Sequence, residues 1–390
     1  MSEGPRRLLF AITVYNGRDV VPDCLRSAAA MAPETVDVDV LVLDDASPAP
    51  GFSGEIEALC AELKVGYYRT PRNLGIPRNV NLGLLRALEG GYDYVVIANS
   101  DILMPNLLCD HLVEIADSDE RISSVTAWSN NVSIYSLPNG APDRFLADQE
   151  RVNWVSSSIY GQFGDAAVDV PVGISFCILI PVPLLRHVGL MDPVFGRGYC
   201  EETDWSLRAQ SLGYRVCLGP SAFVYHRGQG STSEAGVLPA GHTTVPENER
   251  IIDLRYPLFR SQVDAFIRSE ILEVLVADAR RKLLVDAARE WGYDVELGWS
   301  PEPSPEWGEI TVALEPDHKG RPVPVARFIG FAQRIPVIDD DITTSIIEYF
   351  SRKPASVRTV GPEKPLHDLA EAFASLGSGV VHEIGYPARV

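Results

Sequence analysis

Residues 8–18 read LLFAITVYNGR and residues 39–47 read DVLVLDDAS. Each is a short apolar run, rich in β-branched residues, that stops abruptly at polar groups. A strand buried on both faces gives such a continuous run in place of alternation, which is the mark of a parallel sheet covered by helices. Outward from these two runs, residues 20–31, 55–63 and 78–88 carry apolar residues at helical spacing, while 65–69 and 94–98 are again strand-like. Strands that alternate with helices of about 10–15 residues build βαβ units. Ligands of such sheets bind beyond the carboxyl ends of the strands. The groups that follow the runs are therefore the functional candidates: Thr13, Tyr15 and Asn16; Asp44 and Asp45; Asn73, Arg78 and Asn79; Asn99 and Asp101.

The turn after the first run, YNGR at residues 15–18, lacks the G-x-G-x-x-G spacing that cradles a dinucleotide pyrophosphate, which argues against a dehydrogenase. A diphosphate bound here needs its charge met in another way, and carboxylates holding a divalent cation would do so.

The whole chain has 390 residues, 46% of them hydrophobic, so it has room for more than one folded domain and is not a disordered protein. Its 53 acidic residues against 34 basic ones give a net charge of −19, which disfavours nucleic acid and anionic membrane surfaces as partners. Cysteines 24, 60, 109, 177, 200 and 217 stand singly without a C-x-x-C pair, as expected of buried thiols in a reducing cytoplasm. The first residues do not read as a signal peptide. The most apolar stretch, 168–185, is broken by Pro171, Pro181 and Pro183 and barely reaches the roughly 20 residues of a transmembrane helix. A cytoplasmic protein with no transmembrane segment is expected.

Further along, the pattern loosens over 118–169 and tightens again over 170–185. Trp205, Arg208, Ala209 and Leu212 mark a helix over 202–212, followed by a strand at 215–218. Residues 227–249 form a Gly/Ser/Thr/Pro-rich stretch without periodicity, of a length typical of lids. Beyond 250, Val263, Phe266, Ile267, Ile271, Val274 and Leu275 repeat at helical spacing, Pro301, Pro303 and Pro305 follow, and a smaller strand/helix alternation runs to the end. The expected organisation is an α/β domain over 1–250, a helical linker over 251–300 and a small C-terminal α/β domain over 301–390, a candidate for acceptor binding or self-association into a homo-oligomer.

The segments ITVYNG, LVLDDAS, RNLGIPRNVNLGL, ANSDILMP, VGLMDPVFGRGYCEETDWSLRAQSLGYRV and PSAFVYHRGQGS occur in that order across residues 8–231. In motifs and spacing the chain resembles the inverting family 2 glycosyltransferases with the GT-A fold, the rhamnosyl- and galactofuranosyltransferases among them. The resemblance implies a Rossmann-like, mostly parallel central sheet that binds a nucleotide sugar. It implies that Thr13, Tyr15 and Asp45 hold a pyrimidine base, whose N3–H a carboxylate can accept, and that Arg78 reaches the base or the phosphates. Asn99-Ser100-Asp101 stands where the family carries its D-x-D metal motif, with Asn in place of the first Asp. Asp101 and His226 are then the implied ligands of Mn²⁺ or Mg²⁺, completed by diphosphate oxygens and water. The plainer alternatives are a turn or helix cap for Asp45, an N-cap of a helix starting near Pro105 for Asp101, and a core histidine for His226.

The family's general base is the second acid of an E-D-x-D-like motif, here Glu201, Glu202, Thr203 and Asp204. Glu202 is therefore the expected base, with Glu where Asp is usual. Glu201 beside it repels a second negative charge and raises one pKa of the pair, and Asp204 caps or orients the helix. An acidic first helical turn that suits the helix dipole is the plainer alternative. The expected reaction is transfer of a hexose or deoxyhexose from a UDP- or dTDP-sugar to a hydroxyl acceptor on a polysaccharide, glycolipid or natural product. A sugar-nucleotide nucleotidyltransferase and a non-catalytic sugar-nucleotide binder are the alternatives, although the YNGR turn lacks the basic Gly-rich loop of the former. Trp128, Tyr135, Trp154 and Tyr160 read either as an acceptor-sugar platform or as packing. Asp339-Asp340-Asp341, before the periodic Ile342, Ile346, Ile347 and Phe350, reads as a helix cap and not as a metal motif.

Overall fold

The computed structural model describes residues 5–132, 135–137, 146–228, 245–298, 306–360 and 364–383. The chain divides into two compact units, one of Met1–Ser136 with Leu146–Glu273, the other of Leu137–Phe145 with Val274–Val390.

The first unit holds strands β1 (Arg6–Val14), β2 (Val36–Asp44), β3 (Gly66–Arg69), β4 (Tyr94–Asn99), β5 (Ile102–Leu103), β6 (Ile122–Ser129), β7 (Val168–Asp169), β8 (Cys177–Pro181) and β9 (Arg215–His226). They form one sheet in the order β3-β2-β1-β4-β8-β6-β9-β5, with β7 also on β9. The half from β3 to β4 is parallel throughout; β8 then runs antiparallel to both β4 and β6, and β6 pairs parallel with β9. The strand order reverses direction at β1 and β4, which makes a crevice at their carboxyl ends. Around the sheet lie α1 (Val21–Ala29), α2 (Phe52–Leu63), α3 (Ile76–Gly90), α4 (Leu108–Asp117), α5 (Gln149–Phe163), α6 (Val182–Val188), α7 (Glu201–Ser211), α8 (Pro246–Arg255) and α9 (Phe259–Arg268).

The continuous apolar run of β1 has its expected cause. Leu8, Phe10 and Ile12 on one face and Leu9 and Ala11 on the other are all buried. Each large side chain contributes about 1.5–3 kcal/mol by leaving water. Helix α3 approaches β1 so closely that a Cβ on Gly83 would lie 3.0 Å from the Ala11 Cβ and 3.3 Å from Ile97 and Leu43. A larger residue there would push the helix off the strands.

Two expectations are corrected here. The loosely patterned 118–169 contains the fully buried β6 and the helix α5. Two of the polar residues of β6 are satisfied inside the protein: Ser123 Oγ donates to the Arg215 carbonyl at 2.8 Å and Thr126 Oγ1 accepts from the Ile174 amide at 3.0 Å. The stretch 227–249 does not stay irregular to its end, because α8 begins at Pro246; residues 229–244 lie outside the described residues, as do Pro301, Pro303 and Pro305.

The second unit is built on α10 (Ile271–Trp291), whose first turn lies in the first unit, and on a six-stranded sheet. Strands β10 (Asp294–Leu297), β11 (Thr311–Pro316), β12 (Pro322–Phe328), β13 (Phe331–Arg334), β14 (Ser356–Val360) and β15 (Val380–Glu383) are ordered β13-β12-β11-β10-β14-β15. Helices α11 (Ile342–Phe350) and α12 (Lys364–Ser375) accompany them. Asp341 caps α11 by accepting the Thr344 amide at 3.0 Å, so this acid has a structural task. No described helix is long and apolar enough to cross a membrane.

Candidate active site

The register of the parallel strands assembles the crevice. Thr13 lies abreast of Asn99 on one side and Leu43 on the other, so the ends of β1, β2 and β4 are level. Thr13 Oγ1 donates to the Ala98 carbonyl at 3.3 Å. The turn after β1 is tied to the turn after β2: the Asn16 amide donates to Ser47 Oγ at 2.9 Å, and Asn16 Oδ1 accepts from the Ala49 amide at 3.3 Å. Tyr15 and Asn99 are half-buried there.

The two aspartates after β2 have different tasks. Asp44 is fully buried and accepts from the Ser47 amide (2.8 Å), Ser53 Oγ (2.5 Å) and Tyr67 OH (2.9 Å). Burial raises its pKa, but these bonds outweigh it and hold the carboxyl below its ordinary range. Asp45 accepts from the amides of Leu74 (2.7 Å) and Gly75 (2.9 Å), with Thr70 Oγ1 3.1 Å away. Here burial prevails over the bonds and the pKa is raised. Asp45 thereby fixes the loop that opens α3, whose first turn carries the exposed Arg78.

On the far side of the crevice, Asp101 is brought to His226 by strand pairing. Ile102 in β5 is paired with His226 in β9, and the Arg227 amide donates to the Asp101 carbonyl at 2.9 Å. His226 Nε2 stands 3.3 Å from Asp101 Oδ1. That oxygen is buried and makes no geometrically sound hydrogen bond. The other ring nitrogen, Nδ1, lies 2.7 Å from the Asn131 carbonyl oxygen and therefore donates to it, which presents the Nε2 lone pair toward the carboxylate. A protonated ring forms an ion pair with Asp101, whereas a neutral ring and the carboxylate together offer two donors to a divalent cation such as Mn²⁺ or Mg²⁺. Asn130 holds the histidine backbone at both ends, accepting from its amide at 2.7 Å and donating to its carbonyl at 3.1 Å, and Phe176 stacks on the ring. Helix α4 begins with Leu107 as N-cap, so Asp101 does not cap it. Among the described residues, no group of three or more His, Cys, Asp or Glu converges.

The third cluster opens α7. Glu201 is buried, Glu202 half-buried, and each keeps one buried carboxylate oxygen without a hydrogen-bond partner. Burial, reinforced by the Glu202 charge, pushes the Glu201 pKa well up; burial also raises that of Glu202. Asp204, one turn along, is fully occupied: it binds Arg208 Nε (2.9 Å), Arg255 Nη1 (2.7 Å) and Tyr256 OH (3.0 Å), which ties α8 to α7.

The turn before α7 is strained. Tyr199 and Cys200 have φ of 71° and 75°, left-handed values that cost side-chain-bearing residues roughly 1–3 kcal/mol each unless their surroundings impose them. This turn docks on the start of α3. The Ile76 amide donates to the Arg197 carbonyl at 3.2 Å, and a Cβ on Gly75 would fall 2.3 Å from the Gly196 oxygen. The loop held by Asp45 and the turn that leads into the acid pair are thus in direct contact.

Sequence reasoning did not single out Ser47, Thr70, Asn130 or Asn248 as holders of these groups. Asn130 shared a visible Asn-Asn pair, but Asn248 sat in a stretch with no pattern to mark it. Of the aromatic platform, Trp128 and Tyr135 are 0% and 1% exposed and belong to the core.

Residues 10–167 match the family described as Glycosyl transferase family 2. No curated protein matches the chain. Among solved structures, the mannosyltransferase PcManGT from Pyrobaculum calidifontis, in complex with GDP-Man and Mn²⁺, is 15% identical with a TM-score of 0.42, over 74% of this chain and 77% of that one. GalNAc-T7 with UDP, GalNAc and Mn²⁺ is 13% identical with a TM-score of 0.49, over 72% and 55% of the two chains. S. aureus TarS 1–349 in complex with UDP-GlcNAc is 14% identical with a TM-score of 0.44, over 71% and 72%. The match runs from within β1 to the residue before β7 and marks the chain as a transferase enzyme.

Proposed function

We propose that the chain moves a hexose or deoxyhexose from a UDP- or dTDP-sugar to a hydroxyl acceptor with inversion at the anomeric carbon. The acid pair at the head of α7 carries the reading. Glu202 keeps a carboxylate oxygen without a partner and has a raised pKa, whereas Asp204 is consumed by Arg208, Arg255 and Tyr256. The Glu202 carboxylate takes the acceptor hydroxyl proton as that oxygen forms its bond to the anomeric carbon; the bond from this carbon to the diphosphate breaks on the opposite face and its electron pair leaves with the nucleoside diphosphate. A raised pKa brings the base nearer to the operating pH, where general-base help is typically worth about 10²–10⁴ in rate. Burial and the Glu202 charge push the Glu201 pKa up, which favours a single negative charge in the pair.

At the strand ends, Thr13, Tyr15 and Asp45 hold the pyrimidine base. Asp45 already uses three of the roughly four acceptor positions of a carboxylate, and the one left on Oδ2 suits a single N3–H. Arg78 and Asn99 face the base and phosphates. Asp101 and His226 hold Mn²⁺ or Mg²⁺. Such an ion offsets the charge of the departing diphosphate.

The test is a panel of nucleotide sugars with acceptor and Mn²⁺ or Mg²⁺, read as released nucleoside diphosphate and, by NMR, as the anomeric configuration of the product. Release from a UDP- or dTDP-sugar with inverted product supports the proposal. A retained configuration overturns the role of Glu202, and pyrophosphate released from a nucleoside triphosphate and a sugar phosphate overturns the reaction class.

A further inference from the structure

We infer that Asn248, a residue of α8 that makes no hydrogen bond to the acid pair, is a positioning residue that sets the direction of the Glu202 carboxylate through the turn at 195–200. The inference rests on the reading of Glu202 as the base.

Asn248 is buried, and its single side-chain amine lies 3.0 Å from the Phe195 carbonyl oxygen, 2.8 Å from that of Gly198 and 2.9 Å from that of Tyr199. Three carbonyl dipoles that converge on one point repel one another unless a donor with more than one hydrogen fills the point. An amide does this and a carboxylate of the same shape does not. The carbonyls belong to the segment whose backbone angles at Tyr199 and Cys200 decide where the next two side chains, Glu201 and Glu202, project. The opposite side of the turn is fixed by the Ile76 amide on the Arg197 carbonyl and by the close approach of Gly75 to Gly196. Asn248 is therefore the second half of a two-sided grip.

Its own helix is well seated. Arg255 of α8 pairs with Asp204 at 2.7 Å and with Asp192 at 2.8 Å, and Ile252 packs with Phe195, Leu207 and Phe259. Loss of the Asn248 amine alone leaves these contacts in place. The turn can then relax away from its left-handed angles, and Glu202 turns with it. A misplacement of about 1 Å in a reacting group costs on the order of 10²-fold.

The experiment compares Asn248→Asp, which keeps the shape and removes the donor, with Asn248→Ala, Glu202→Gln and the double variant Asn248→Asp/Glu202→Gln in the full chain. Read out are kcat, KM for the donor, and the stoichiometry and affinity of nucleoside diphosphate binding by calorimetry. Asn248→Asp and Asn248→Ala are expected to lower kcat about 10–100-fold, with donor KM and binding stoichiometry within twofold of the parent, and to cost nothing further once Glu202 is already Gln. A fall in kcat matched by an equal fall in binding-competent protein marks a purely structural residue and overturns the proposal. So does an unchanged kcat in the Asn248 variants, or an undiminished effect in the double variant. If Glu202→Gln itself retains turnover, the base assignment fails, which is a separate result from any of these.

Discussion

The chain has two adjacent acid pairs at its candidate site, and they are treated in opposite ways. Asp44 and Asp45 sit after a strand, and both oxygens of each accept from amides or hydroxyls of residues 47, 53, 67, 70, 74 and 75. Glu201 and Glu202 open a helix, and each keeps a buried oxygen with no partner. A carboxylate bonded on both oxygens is fixed in place, whether it only holds a turn, as Asp44 does, or keeps one acceptor position over, as Asp45 does. One that is buried and under-bonded is costly to the fold, and such cost is tolerated where chemistry uses it.

The sharpest way to break this contrast is Glu202→Gln. It should lower transfer by about 10²–10⁴ with nucleoside diphosphate affinity nearly intact, and near-parental turnover would show that the under-bonded pair has no catalytic use. Asp44→Ala should do the reverse. It orphans the Ser47 amide and the Ser53 and Tyr67 hydroxyls and should cost about 3 kcal/mol in urea unfolding. An unchanged unfolding midpoint would remove the structural half of the comparison.

A smaller effect is expected at the metal pair. Asp101→Ala and His226→Ala should each weaken donor binding in Mn²⁺ or Mg²⁺ about 10–100-fold, the scale on which even outer partners of metal ligands act. Unchanged metal titrations in both variants would sink the ligand assignment.

The smallest prediction concerns pH, and its sign differs between the pairs. The pKa of Asp44 is lowered in the folded chain, so its contribution to stability is present above the ordinary value of 3.8 and is lost as pH falls through the folded value. The pKa of Glu201 is raised, so the folded state binds the extra proton. Its contribution is full below 4.5 and is lost as pH rises from there toward the folded value. Glu201→Gln should therefore raise the melting temperature at neutral pH by about 2–4 °C and have no such effect in acid. A uniform shift at all pH values would refute the buried-acid account.

The parallel half of the sheet was legible because burial on both faces writes an unbroken apolar run, as in residues 8–14. Strand β6 was not, since ISSVTAWS buries its hydroxyls, bonding those of Ser123 and Thr126 internally, and hydropathy reads them as loop. Acids and amides at strand ends could be found from residue type alone. What each one touches could not, because Asp45 meets residues about thirty positions on and Asn248 grips a turn about fifty positions back. Asp101 and His226 are an intermediate case: both types stood out, but only the pairing of β5 with β9 makes them neighbours.

That pairing is two residues long. A ladder so short has almost no cooperative reserve, and side chains on a strand change face with every single step of register. One residue inserted or deleted between Asn99 and Ile102 would change which residue pairs with His226 and carry Asp101 away from it. The proposed cation-binding corner can thus be switched off by chain length alone, with both proposed ligands still encoded.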